Sequence, residues 1–133
     1  MSRDRTKSTA GVSALEFGLV LPLLIVILTG IIDYGHAYFV RLSMSNAARE
    51  GARIGATLPA SDAANVARST AEAYLARSGI DAAVTVTTPT QAEPTVDVEI
   101  TLAPFEPLVG LVPVPDHLHA SAAMRWELAS PEP

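Results

Sequence analysis

Residues Val12 to Ile32 read VSALEFGLVLPLLIVILTGII, an apolar run with one ionisable side chain, Glu16. At about 1.5 Å per residue, a helix of this length is about 30 Å long, the thickness of a bilayer's hydrocarbon core. The run predicts a transmembrane helix over 12–32. A secretory signal is one competing reading, but its apolar region usually covers only about 7–15 residues and ends in a small-x-small cleavage site. This run is longer and leads into Asp33-Tyr34-Gly35-His36. A buried helix of a soluble domain is the other competitor, kept open by Glu16 and Pro22, which lower the mean hydropathy of the run.

Charge on either side gives the run a direction. Residues 1–11 carry Arg3, Arg5 and Lys7 against Asp4, a net of +2, whereas the chain after Ile32 has six basic and twelve acidic side chains. Positive charge is retained on the cytoplasmic side, so the expected topology is single-pass in the cytoplasmic (inner) membrane, with the amino end inside. Residues 1–11 then form a basic cytoplasmic leader, and residues 33–133 an extracytoplasmic domain that includes an extension of the helix. An acidic bulk lacks the concentrated Lys or Arg patch that phosphates need, so nucleic acid is not an expected partner. The chain has 133 residues and no cysteine, which rules out a disulfide scaffold and a thiolate metal site.

Two residues in the run are out of character. Pro22 has no backbone donor, and in a membrane helix it is expected to give a kink and not an end. Glu16 lies five residues into the run, where an ionised carboxylate facing lipid costs on the order of 1–3 kcal/mol depending on depth. Taken alone, it can reach the headgroups or take up a proton.

Its surroundings suggest a further role. A basic leader followed by Gly11, with Glu16 five residues later and then Phe17, resembles the prepilin-peptidase signature of type IV pilins. Gly11 to Phe17 continuing as Gly18-Leu19-Val20-Leu21-Pro22-Leu23-Leu24 most resembles the TadE-like minor pseudopilins of tight-adherence (Flp-type) pilus systems. Gly30-Ile31-Ile32-Asp33-Tyr34-Gly35 and Ser45 to Arg53 are similar to that family's second block, and Ala123 to Glu127 to its closing strand. Asp33 departs from the family pattern, where glutamate is commoner.

The resemblance implies cleavage between Gly11 and Val12, leaving the apolar helix on the mature protein with a new ammonium at Val12. Glu16 is four residues along the same helix, so its carboxylate can neutralise that amine within one subunit or in an adjacent one. Only the second pairing sets subunit register, with Glu16 and Phe17 as the assembly residues. The implied partners are the membrane, a prepilin peptidase, the major Flp-type pilin, other minor pseudopilins and an inner-membrane assembly platform.

Between Asp33 and Ala56 the glycines cost about 1 kcal/mol each relative to alanine but nothing breaks a helix strongly, so the helix is expected to continue out of the bilayer. Tyr34, Tyr38 and Phe39 fall where an interfacial aromatic belt belongs. Ala47, Gly51 and Gly55, beside Ala48, Ala52 and Ala56, recur every four residues and make a close-packing face. Either the chain's own second helix or sheet, or another pilin, can use it. Asn46, Arg49, Glu50 and Arg53 are expected to form a solvated or ion-paired face.

Leu58-Pro59-Ala60 ends the pattern, and Ser61 with Asp62 predicts an N-cap for a second helix that runs to Ser78, stops at Gly79, and has Val66, Thr70, Tyr74 and nearby alanines on its apolar face. Three strands follow from alternation at Val84/Val86, at Val96/Val98/Ile100/Leu102 and at Leu118/Ala120/Ala122/Met124/Trp126. With Pro89 to Pro94 as a short connection, they predict an antiparallel meander with one face on the second helix and the other wet. The expected class is α+β. The apolar connector from Pro104 to Pro115 either packs across the domain's own core or touches a partner or the membrane.

His117 and His119 are the only pair worth a metal hypothesis, and both fall on the polar side of the last strand, where solvated residues are expected. No phosphate loop, nucleophile elbow or metalloprotease spacing is present. Neither an enzyme nor a cofactor is expected. A pilin-like assembly protein is the first functional reading, and a membrane-anchored binding module unrelated to pili the alternative.

Overall fold

The computed structural model describes residues 5–128, with side chains from residue 11 onward. The leader's residues 1–4 and the closing residues 129–133 lie outside that description. Helix α1 runs from Arg5 to Gly55 without interruption, Pro22 included. Its 51 residues span about 75 Å at the standard rise. Helix α2 covers Ala60–Arg77, and strands β1 (Ala83–Val86), β2 (Thr95–Leu102) and β3 (Leu118–Arg125) follow. The strands form one antiparallel sheet in chain order. The architecture is α+β: a long helix, a second helix and a three-stranded meander.

The start of α2 differs from the expectation. Pro59, at φ −55° and ψ 146°, occupies the N-cap, and no side chain caps the helix. The Pro59 carbonyl accepts from the amides of Asp62 and Ala63, both at 2.9 Å. Ser61 is thereby drawn inside the first turn, and Asp62 serves the helix dipole from within that turn. The other end is as the glycine indicates. Gly79 sits at φ +68°, its amide bonds to Ala76 O at 3.1 Å, and the Ile80 amide reaches Leu75 O at 3.0 Å. This is a Schellman arrangement, with Ile80 and Leu75 both buried.

Small side chains dominate where the helices meet. Met44, Ala47, Ala48 and Ala52 of α1 and Ala63, Ala67 and Ala71 of α2 are wholly buried. The buried stripe of α2 is thus its alanines with Leu75, and Val66, Thr70 and Tyr74 stand half-buried at its margin. Alanine loses no side-chain rotamer entropy on burial, so each methyl's modest transfer energy is kept undiminished, provided that the backbones come close.

The sheet does not rest on α2 alone. α1 lies against β2 and β3, while α2 meets β1 and the margin of β2. Val96, Val98 and Ile100 are fully buried in the middle strand. The register sets Val84, Ile100 and Ala120 in one row and Val86, Val98 and Ala122 in the next. Asp97, Glu99 and Thr101 point to the wet face. The alternation in β3 fades at its end, where Met124 is exposed. Trp126, just past the strand, is buried: its indole Nε1–H donates to Leu58 O at 2.8 Å, and its amide donates to Pro94 O at 2.7 Å. The Glu127 amide reaches Ala56 O at 2.9 Å, so the chain's last described turn is fastened to the top of α1.

Candidate membrane anchor and assembly segment

The lower part of α1 stands clear of the rest of the protein. Every residue from Gly11 to Leu28 is exposed. Leu15, Phe17, Leu19, Leu23, Leu24, Ile27 and their neighbours form an apolar surface on all sides of the helix. Burying one such side chain is worth about 1.5–3 kcal/mol, so water is not the medium that this surface suits. By length and composition the helix is able to cross a bilayer, and its most apolar window has no burial against protein. It is consistent with a single-pass membrane anchor.

Gly11 and Val12, the expected cleavage pair, lie within the continuous helix, and a Cβ added at Gly11 would have no atom within 4 Å. Glu16 and Phe17 are exposed one turn above. The Glu16 carboxylate has no ion pair or hydrogen bond among the described residues. Pro22 sits mid-segment with the helix intact on both sides.

A second carboxylate closes the apolar run, and it is treated differently. Asp33 is completely buried. Its Oδ1 accepts from the Val109 amide at 2.8 Å and its Oδ2 from the Gly110 amide at 3.0 Å. The two acids are about 25 Å apart along the helix by the standard rise. One is satisfied within the chain, and the other has no partner among the described residues. Asp33 is the residue that the sequence reading passed over, as a harmless departure from a family pattern. The available signal was an acid set directly against the end of an apolar run, where a carboxylate needs a partner.

The close-packing face lies higher on the same helix. A Cβ at Gly51 would fall 2.7 Å from Ala67 O, and one at Gly55 would fall 2.9 Å from the Ala67 Cβ and 3.0 Å from Ala63 O. Ala47 is buried beside them. These positions are occupied by α2 of the same chain. The polar side of this stretch carries an exposed ion pair: Arg53 Nη2 is 2.7 Å from Glu50 Oε1, and that hydrogen bond holds the Glu50 carboxyl below its ordinary pKa and raises Arg53.

The comparison with known families bears on this first part of the chain. Residues 11–53 match the family model described as TadE-like protein. Curated proteins and solved structures give no match to the chain. The TadE-like match points to association with Tad pilus machinery and a membrane. It covers the anchor, Asp33 and the upper face up to Arg53, and leaves α2 and the whole sheet beyond it.

Outside the TadE-like segment, the two histidines are engaged separately. His117 Nδ1 lies 2.7 Å from Asp116 Oδ1, which depresses the Asp116 pKa, and His119 Nε2 lies 2.9 Å from Glu99 Oε1. Among the described residues no group of three or more potential metal ligands occurs.

Proposed function

We propose that the protein is a minor pseudopilin of Tad (Flp-type) pili. A prepilin peptidase cuts between Gly11 and Val12 on the cytoplasmic face, and the mature chain stays anchored in the inner membrane with its α+β domain outside. Glu16 then pairs with the Val12 ammonium of a neighbouring subunit. The major pilin, other minor pseudopilins and the assembly platform are the partners. The observation that carries this reading is the contrast between the two acids: Asp33 has two donors of its own, whereas among the described residues Glu16 has none and stands on an exposed stretch of helix. A carboxylate left unpaired in a low-dielectric bundle costs several kcal/mol, enough to reject a wrong axial stagger. Head-to-tail pairing of this kind propagates without closing.

The test is Glu16→Ala in cells that make the pilus. Membrane insertion and processing stay as in the wild type, and recovery with the major pilin in sheared pili falls. Normal incorporation of the variant removes the register role. The mass of the amino terminus is a separate check, because a simple anchored receptor keeps residues 1–11 whether or not the peptidase is present.

A further inference from the structure

We infer that the connector between β2 and β3 is a second membrane contact, a wedge that Asp33 holds against the end of the apolar span so that Leu108, Val109 and Leu111 enter the lipid of the leaflet on the domain's side. This rests on the reading of α1 as a membrane-spanning helix. The connector descends along α1 from Phe105 to Val112 and turns back up at Pro113. The Phe105 ring stacks on His36 at 5.4 Å between centroids. The Pro113 carbonyl accepts from the Tyr34 hydroxyl at 2.9 Å, and Val112 Cγ2 lies 3.5 Å from the place of a Gly30 Cβ. From His36 to Gly30 is about 9 Å down the helix axis, which takes the connector into the height of the 12–32 run.

Its composition fits that depth. Residues 107–115 read PLVGLVPVP, with no polar side chain, between Glu106 and Asp116. A non-helical backbone near hydrocarbon must dispose of its amides. Of the nine residues, Pro107, Pro113 and Pro115 have none, those of Val109 and Gly110 go to Asp33, and the remaining four are left to the headgroup region. Leu108, Val109 and Leu111 are nevertheless 65%, 45% and 62% exposed, with no protein over them. At the same height on α1, Ile31 and Ile32 are exposed as well, at the end of the apolar surface of the 12–32 run. An occupant continuous with the one that covers those isoleucines is acyl chain, and large exposed apolar patches mark such contacts.

The chain lacks cysteine, so single labelled cysteines report depth directly. Leu111→Cys, Leu23→Cys and Thr85→Cys, each carrying an environment-sensitive fluorophore on the full chain, are placed in phosphatidylcholine vesicles with acyl chains brominated near the headgroup or near the bilayer centre. The expected result is loss of fluorescence at position 111 with shallow bromines, at position 23 with deep ones, and at position 85 with neither. Position 111 as bright as position 85 while position 23 is quenched overturns the wedge and leaves the anchor standing; the patch then faces water or a protein. An unquenched position 23 overturns both. Asp33→Ala in the Leu111→Cys chain is expected to abolish quenching at 111 while quenching in the Leu23→Cys chain and the far-UV signal persist. Undiminished quenching at 111 removes Asp33 as the holder of the loop.

Discussion

The lower and upper parts of α1 are one unbroken helix built on opposite side-chain rules. From Gly11 to Leu28 every residue is exposed, and large aliphatic side chains predominate on all sides. From Val40 to Ala56 the buried positions are filled mostly by alanine, with Gly51 and Gly55 where α2 comes closest. The difference is one of solvent. A helix surrounded by fluid acyl chains gains from bulk on all sides, whereas a helix that must admit another backbone gains from its absence. Glycine means different things in the two halves: Gly18 faces open space, and Gly51 faces the Ala67 carbonyl.

Alanine substitution at those two glycines breaks or sharpens that contrast and gives the largest expected effect. Gly51→Ala gains about 1 kcal/mol of helix propensity. Its Cβ, however, must displace a backbone oxygen 2.7 Å away, which no rotamer relieves. Overpacking of this kind costs about 1–3 kcal/mol, and at about 4–8 °C per kcal/mol for a domain of this size the net loss lowers the unfolding midpoint by several degrees. Trp126, the sole tryptophan, reports the transition by fluorescence in detergent. Gly18→Ala leaves that midpoint unchanged. Equal shifts at the two sites would show that the upper face is not closely packed.

Next in size is the fastening of the sheet to the top of α1. Trp126→Phe keeps most of the ring's packing but takes the indole donor from the Leu58 carbonyl, and because Leu58 is only half-buried the net loss is about 0.5–1.5 kcal/mol. Met124→Ala, two residues earlier on an exposed position, changes stability by less than about 0.5 kcal/mol. Circular dichroism melts of the two variants distinguish them. A Trp126→Phe melt as close to wild type as that of Met124→Ala means that the hydrogen bond contributes nothing.

The parts of this molecule that were legible in the sequence are those encoded by near neighbours. Hydropathy over Val12 to Ile32, the two-residue alternation in β2 and the glycine after α2 each depend on a few adjacent residues, and each holds in the structure. What was not legible depends on pairs far apart. Asp33 meets Val109 across 76 positions and Trp126 meets Leu58 across 68, and neither partner group is a side chain, so no pattern of residue types announces the contact. The packing of the sheet, on α1 as well as on α2, was only partly legible for a related reason. Small residues at Ala120 and Ala122 admit α1 as readily as α2, and the choice between them is made by where Trp126 and Glu127 fasten the chain. The N-cap of α2 was misplaced because Ser61 and Asp62 carry the right side chains, while Pro59 already holds the extended geometry that a cap requires.

The smallest effect expected concerns the outward side of the upper half, where Glu50 and Arg53 pair in water. Arg53 donates to Glu50 and so depresses its pKa from the ordinary 4.5. A carboxyl depressed in the folded state binds its proton more readily in the unfolded one. The stability that it contributes is therefore complete above the unfolded pKa and is lost as pH falls through the folded value. Glu50→Gln is expected to lower the domain's midpoint slightly near pH 7 and to converge on the wild type as pH falls through the folded-state pKa of Glu50, below which both carry a neutral side chain. Salt supplies the second axis, because at about 1 M the Debye length shrinks to about 3 Å and exposed charges scarcely feel one another. Both side chains are solvent-exposed, at 62% for Arg53 and 39% for Glu50, so the pH 7 difference should shrink on adding salt. A difference that persists at high salt and at low pH alike would mean that Glu50 acts through packing, and that the polar side of the upper half is as much a part of the fold as the alanine side.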